Sequence, residues 1–348
     1  MTLYLFPLNF AFNSFSLSLL VVMAGLSGHS SMAADLSLSQ AAMIAIFFSM
    51  SANARNLILK SSDGAIERSI VQMRLLSAPV LAVAAVFVSV YLSKVNLLIS
   101  LAIVVRQLSE WFSEIELARM ERTSDHKRAK VFLAVFVFPL LAIAGALLFA
   151  PPFFLPALYI WAGLPLLLCS GGISRSLATL SMISIEWAKI LPNCGSTFII
   201  GMTVFFFRLL IAGFAGKDVA GQLFAAFALG SIVGSLYERT IGPSFKVSAE
   251  LAKASSLMFR LAWVLPAAGV GLVVMVCFLG GTNSYVARNV YLLGATGFSL
   301  VGGFVMLGAQ TIKINILHSN TRDDVFMADL LSNFAILVSV PVTFLLFG

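Results

Sequence analysis

Long apolar runs follow one another along this sequence, and they constrain its fold more than any other feature. Of the 348 residues, 60% are hydrophobic and only 11% are charged. A helix needs roughly 20 apolar residues to cross the hydrocarbon core of a bilayer. Open sheets would leave backbone edges in lipid, and the runs are continuous rather than alternating as in a β-barrel. We therefore predict an all-α, polytopic membrane protein.

Hydropathy predicts eleven membrane spans separated by short polar breaks. They cover residues 4–26, 37–59, 71–92, 96–117, 131–150, 153–173, 195–214, 219–240, 258–280, 286–308 and 325–347. The longest break runs from Gly171 to Pro192 and divides the spans into six and five. We therefore predict an N-terminal helical lobe over residues 1–174, a cytoplasmic linker over 175–193 and a C-terminal helical lobe over 194–348.

The first span has an alternative interpretation as a signal peptide. Ser31, Met32, Ala33 and Ala34 resemble a small-residue cleavage site. Signal peptides begin with a positively charged region, however, and the first basic residue of this chain is Arg55. We therefore expect the first span to be retained.

The distribution of basic residues predicts the orientation in the membrane. Seventeen of the 22 Lys and Arg residues lie in or beside the breaks after even-numbered spans, three lie after odd-numbered spans and two lie inside spans. Cytoplasmic loops carry the excess of such residues. We therefore predict a multi-pass protein of the cytoplasmic (inner) membrane with a cytoplasmic N-terminus. The net charge is +7, but the basic residues are scattered over the ends of the spans. They therefore do not indicate nucleic-acid binding.

Few residues have the spacing that catalysis or metal binding requires. The three cysteines lie in or beside apolar segments, and the three histidines have no partner at metal-ligand spacing. The sequence also has no nucleophile elbow and no Walker loop. The predicted external loops are too short for a conventional active site. We therefore expect no enzymatic activity, no cofactor and no metal.

The fourth span carries charges where lipid would surround an isolated helix. Arg106, Glu110 and Glu114 are spaced by four residues, so they form one stripe on a helix. A charge at the bilayer centre costs at least about 2.5 kcal/mol, so Arg106 should face a partner or a cavity. Two interpretations remain open: an internal pair of Arg106 with Glu110, or a stripe that lines a hydrated translocation path. Glu114, Glu116 and Glu121 approach the cytoplasmic boundary, where we expect them to be solvated.

Two further arginines are candidate residues of a central cavity. Arg208 lies in the outer half of the seventh span, where it either faces the cavity or extends towards the outer headgroups. Arg55 lies at the inner end of the second span, where anchoring at the cytoplasmic interface is the alternative role.

In the predicted second lobe, Arg208 lies at the outer end of the first helix and is followed by Gly216 and Gly221. These residues belong to the segment 192–243, and two further segments, 51–60 and 105–118, accompany it in the first lobe. Together the three segments resemble polysaccharide flippases of the Wzx type, in the multidrug/oligosaccharidyl-lipid/polysaccharide exporter superfamily. The second lobe of these proteins often opens with an arginine at the outer end of its first helix and then a turn with a glycine.

The resemblance implies a MATE-like fold of two helical bundles around a cavity that opens to each side of the membrane in turn. Family members usually have twelve or fourteen spans. Three explanations of eleven spans remain open: a short member that lacks the last helix, a truncated reading frame, or an inactive relative. The implied cargo is a polyprenyl-pyrophosphate-linked oligosaccharide, whose pyrophosphate would contact Arg106 or Arg208. Membrane lipids and polysaccharide-assembly proteins are the implied partners.

Two alternative functions remain open. The first is a cation-coupled antiporter for small molecules in the same superfamily, in which Glu110 would bind a proton or a sodium ion. The second, ranked lower because the external loops are short, is a membrane glycosyltransferase or polymerase.

Overall fold

The chain is helical throughout the parts that its structure, a computed structural model, describes. These are residues 5–51, 54–60, 64–178, 185, 194–236, 260, 262–281, 286–287, 289–318 and 322–347. The helices are α1 (Leu5–Leu26), α2 (Ser30–Phe47), α3 (Ala54–Lys60), α4 (Gly64–Phe87), α5 (Leu97–Thr123), α6 (His126–Phe149), α7 (Phe154–Ala178), α8 (Cys194–Leu236), α9 (Val264–Leu279), α10 (Val290–His318) and α11 (Arg322–Phe347). The prediction of an all-α protein is confirmed.

Seven helical segments in the described ranges are long and apolar enough to cross a membrane. They are Leu5–Leu26, Ser30–Met50, Ala65–Leu92, His126–Phe149, Pro151–Ser174, Thr197–Ile232 and Val290–Ala309. Two shorter apolar helices cover Val264–Leu279 and Leu330–Leu346. These segments confirm a multi-pass membrane protein. The number of eleven spans and their arrangement in two bundles stay predictions.

Helix α5 is too polar to be among those seven segments, although it spans 27 residues. Its N-terminus is capped by the Asn96 side chain, which accepts a hydrogen bond from the Leu98 N–H at 2.8 Å. Its C-cap is Ser124, in the left-handed conformation with φ 55°. Fifteen of the 27 residues are buried, so the polar side chains of α5 face protein rather than lipid.

The chain divides into two compact units. The first comprises residues 1–16, 38–210 and 329–348, and the second comprises 17–37 and 211–328. One apolar cluster of the first unit forms around α5, which contributes Phe112, Ile115 and Leu117. Phe10 of α1 and Phe136 of α6 belong to the same cluster. The polar helix is thus a central element of its unit.

Close approaches of helix backbones at glycine are the characteristic contacts of the second unit. A Cβ atom on Gly269 of α9 would lie 2.5 Å from the carbonyl oxygen of Gly297 of α10. A Cβ on Gly303 of α10 would overlap the carbonyl oxygen of Gly230 of α8. Small residues let membrane helices approach this closely, and van der Waals contacts and interhelical hydrogen bonds then hold them together.

Helix α8 covers the predicted span seven and residues 219–236 of the predicted span eight, and it contains a break between them. Gly216 has φ 76° and ψ 162°, a conformation in which a residue with a side chain would be strained. The break falls in the predicted loop between the two spans. The predicted linker stays a prediction, because residues 179–184 and 186–193 lie outside the described ones.

The predicted orientation can be tested at the two ends of α6. Single cysteines at Arg122 and Ala150, in a cysteine-free background, flank this helix on opposite sides. We expect a membrane-impermeant thiol reagent to label position 150 in intact cells and position 122 only after lysis, because basic residues cluster around position 122. Labelling of position 122 in intact cells would contradict the predicted orientation.

Candidate functional site

Arg106 lies in the interior of the first unit, where it joins α5 to α1. Only 1% of its surface is exposed. Its Nη2 donates to the carbonyl oxygen of Asn13 at 2.7 Å and to Ser16 Oγ at 3.1 Å. The guanidinium carbon lies 4.6 Å from the ring centroid of Trp161 and 5.6 Å from that of Phe136. The charge is therefore held by hydrogen bonds on one side and aromatic faces on the other.

Several polar atoms around Arg106 have capacity for another ligand. Its Nε and Nη1 are buried and have no hydrogen-bond partner among the described residues. The same is true of Asn13 Oδ1 and Trp161 Nε1. Because buried polar groups are nearly always hydrogen-bonded, these atoms indicate a place where water or a polar ligand binds.

Glu110 lies one turn after Arg106 on α5 and is half-buried. Its backbone carbonyl oxygen accepts a hydrogen bond from Asn13 Nδ2 at 3.1 Å. The two hydrogen bonds of the Arg106 guanidinium both go to α1. The interpretation as an internal pair and the interpretation as a cavity stripe both stay predictions.

Glu114, the third residue of the stripe, forms an ion pair with an arginine of α4. Arg74 Nη2 lies 2.7 Å from Glu114 Oε2, and the Arg74 side chain is fully buried. Arg74 also donates to the carbonyl oxygens of Ser51, at 3.1 Å, and of Trp111. We expected Glu114 to be solvated, but it binds an arginine that lies inside the predicted span 71–92. The position of Arg74 in that apolar span was the sequence signal that it could be buried.

Arg55 pairs with Glu121 near the C-terminal end of α5. Its Nε and Nη2 each donate to one carboxylate oxygen at 3.0 Å. The guanidinium carbon lies 3.9 Å above the ring of Phe10. A bidentate pair stacked on an aromatic ring fixes α3 to α5 and α1, a structural role for Arg55 in this conformation.

Arg208 is half-buried on α8, and its Nη1 donates to Gln40 Oε1 of α2 at 3.1 Å. Gln40 is itself buried. This contact shows that Arg208 faces a neighbouring helix of the first unit on at least one side. Whether it also contacts a cargo stays a prediction.

The candidate residues on and around α5 are spread along its axis. With a rise of about 1.5 Å per residue, Arg106 and Glu121 are separated by about 22 Å along the helix. Glu114 and Glu121, the partner of Arg55, lie in the C-terminal half of α5, whereas Arg106 lies in the N-terminal half. Among the described residues of the predicted site, Arg106 is therefore the one that retains buried polar atoms without a hydrogen-bond partner.

Comparison with protein-family models, with curated proteins and with solved structures finds no match. The resemblance to flippases therefore depends on the residues quoted above.

Proposed function

We propose that this protein is a transporter that moves a polyprenyl-pyrophosphate-linked oligosaccharide across the cytoplasmic membrane by alternating access. The observation that supports it is the buried, incompletely bonded guanidinium of Arg106. An arginine has five N–H donors, of which Nη1 and Nε contribute three. Those three donors are available for an anionic oxygen, whereas Arg55 and Arg74 already bind carboxylates.

The surroundings of Arg106 would allow its guanidinium to bind an anionic cargo and then release it. Trp161 and Phe136 cover the guanidinium and keep bulk water away from it, so an interaction with a pyrophosphate would be stronger than in water. In this conformation the side chain is closed to the outside. The cargo would reach it when α1 and α5 separate, a movement that exchanges the contacts with Asn13 and Ser16 for contacts with the cargo.

The proposal predicts that Arg106→Leu reduces glycan export at least tenfold, because hydrogen bonds between charged groups contribute about 1.5–3 kcal/mol each. Arg106→Lys should keep part of the function because the positive charge persists. The measurement is export in a deletion strain, normalised to the level of membrane protein for each variant. Ser16→Ala is the matched control, since it removes one hydrogen bond of the α1 contact but no charge.

A double variant separates cargo binding from neutralisation of Glu110. If Arg106 only balances that carboxylate, Arg106→Leu with Glu110→Leu should restore export, because no orphan charge remains. If Arg106 binds the cargo, the double variant stays defective although it folds. Full restoration would reject the proposal.

A further inference from the structure

A pocket lies between α4, α5 and α7, beside the C-terminal half of α5. Its cavity volume is about 50 Å³, and it is open to the surroundings on one side. Its walls are largely apolar and include Val71, Phe112, Ile115 and Ile173. Glu116 is one of the residues that line this pocket. The positive-inside pattern predicts that this end of α5 faces the cytoplasm, so the pocket would lie at the inner lipid headgroups.

Glu116 is the incompletely bonded group of the pocket. It is 7% exposed, and its Oε2 has no hydrogen-bond partner within the described part of the chain. Its Oε1 lies 3.7 Å from Arg119 Nη1, beyond hydrogen-bond distance. Gly172 of α7 leaves the room for this carboxylate, because a Cβ atom there would overlap Oε1. The carboxylate of Glu116 thus occupies the space that a side chain at position 172 would fill.

The other carboxylate of the pocket already has a partner. Glu67 Oε2 accepts from Arg122 Nη2 at 2.5 Å, and Glu67 Oε1 lies 3.8 Å from Arg119 Nε. Arg119 therefore has weak contacts with two carboxylates and keeps 35% of its side chain exposed. The pocket thus combines an unsatisfied carboxylate inside with an available guanidinium at its open side.

The chemistry of Glu116 Oε2 selects a hydrogen-bond donor with a positive charge. A buried carboxylate oxygen without such a donor is unfavourable. A metal ion needs several ligands, and the described residues contain no group of three His, Cys, Asp or Glu side chains that could hold one. A primary ammonium is compact and has three donors. The apolar walls would accept the methylene groups attached to it.

We propose that this pocket binds the headgroup of phosphatidylethanolamine, with the ammonium on Glu116 and the phosphate at Arg119. The two side chains offer opposite charges 3.7 Å apart, and the ammonium and phosphate of this headgroup are joined by two carbons. A trimethylammonium group cannot donate hydrogen bonds and is bulkier, so the site discriminates against phosphatidylcholine. The binding does not depend on transport activity.

The test compares the thermal unfolding midpoint of the purified protein in micelles that contain either phosphatidylethanolamine or phosphatidylcholine. We expect phosphatidylethanolamine at about 100 times its dissociation constant to raise the midpoint by about 5 °C relative to phosphatidylcholine. Glu116→Gln removes the charge and should abolish the difference. Gly172→Ala should also abolish it, because the added methyl group displaces the carboxylate.

Gly171→Ala is the matched control, since a Cβ atom at that position meets no other group within 4 Å. It should keep the full difference between the two lipids. Equal midpoints in both lipids for the unaltered protein, or a difference that survives Glu116→Gln, would overturn the proposal. An equal rise with free ethanolamine, or an undiminished rise in Arg119→Gln, would overturn the assignment to a phospholipid headgroup.

Discussion

Replacing Arg74 by leucine is expected to lower the free energy of unfolding by about 3–5 kcal/mol, the cost typical of breaking a buried ion pair. The Arg74 side chain is fully buried and lies 2.7 Å from Glu114. The change would leave the Glu114 carboxylate without this partner and would remove donors from the carbonyl oxygens of Ser51 and Trp111. The measurement is unfolding of the purified protein by increasing SDS in mixed micelles.

Two variants show whether the cost comes from the ion pair. Arg128→Leu makes the same chemical change at an exposed position of α6 and should alter stability by less than about 0.5 kcal/mol. The double change of Arg74 and Glu114 to leucine should recover part of the loss, because no uncompensated charge remains. A cost of Arg74→Leu as small as that of Arg128→Leu would show that the pair contributes little.

Gly221→Ala is expected to destabilise the second unit by about 1–3 kcal/mol, the range for overpacking a close contact. A Cβ atom at this position would overlap the backbone carbonyl of Ser30 in α2 and would lie 3.2 Å from the backbone nitrogen of Ala34. Backbone atoms cannot rotate away as the end of a side chain can, so α2 and α8 would have to move apart. The unfolding midpoint in detergent reports the change.

Gly213→Ala is the control for this effect on the same helix. No atom outside its own helix turn lies within 4 Å of a Cβ at Gly213. Alanine there should be neutral or should stabilise by up to about 1 kcal/mol, because it favours the helix over the unfolded chain. The opposite signs distinguish a steric conflict from a general effect of glycine in helices. Equal effects at the two positions would contradict the close approach of α2 and α8.

The charged residues of α5 show what the spacing of residues in the sequence can predict and what it cannot. A spacing of four places Arg106, Glu110 and Glu114 on one side of a helix, which left two interpretations open: an internal pair of Arg106 with Glu110, or a stripe along a translocation path. In the structure, Arg106 donates a hydrogen bond to α1, and Glu114 forms an ion pair with Arg74 of α4. The spacing determines neighbours within one helix only. The partner of Glu114 comes from 40 residues earlier in the chain, and packing selects it.

Glu116 shows a limit of the same kind. Its position near a span end predicted a solvated side chain, yet it is buried against α7. The reason is Gly172, which has no side chain and so leaves room for the carboxylate. The sequence around a glycine in an apolar segment does not show which side chain of a neighbouring helix will pack against that glycine.

The sequence by itself determined that this protein is all-α and crosses a membrane several times. Long, continuous apolar runs favour helices, because backbone N–H and C=O groups in lipid must be bonded within the protein and a helix achieves this inside one segment, whereas barrel strands would alternate. Only the tertiary structure decided that the polar helix α5 would be buried in its unit. It also decided that Arg55 and Arg74 would bind carboxylates while Arg106 keeps donors unbonded. Burial and pairing depend on which helices meet, and that follows from packing over the whole chain.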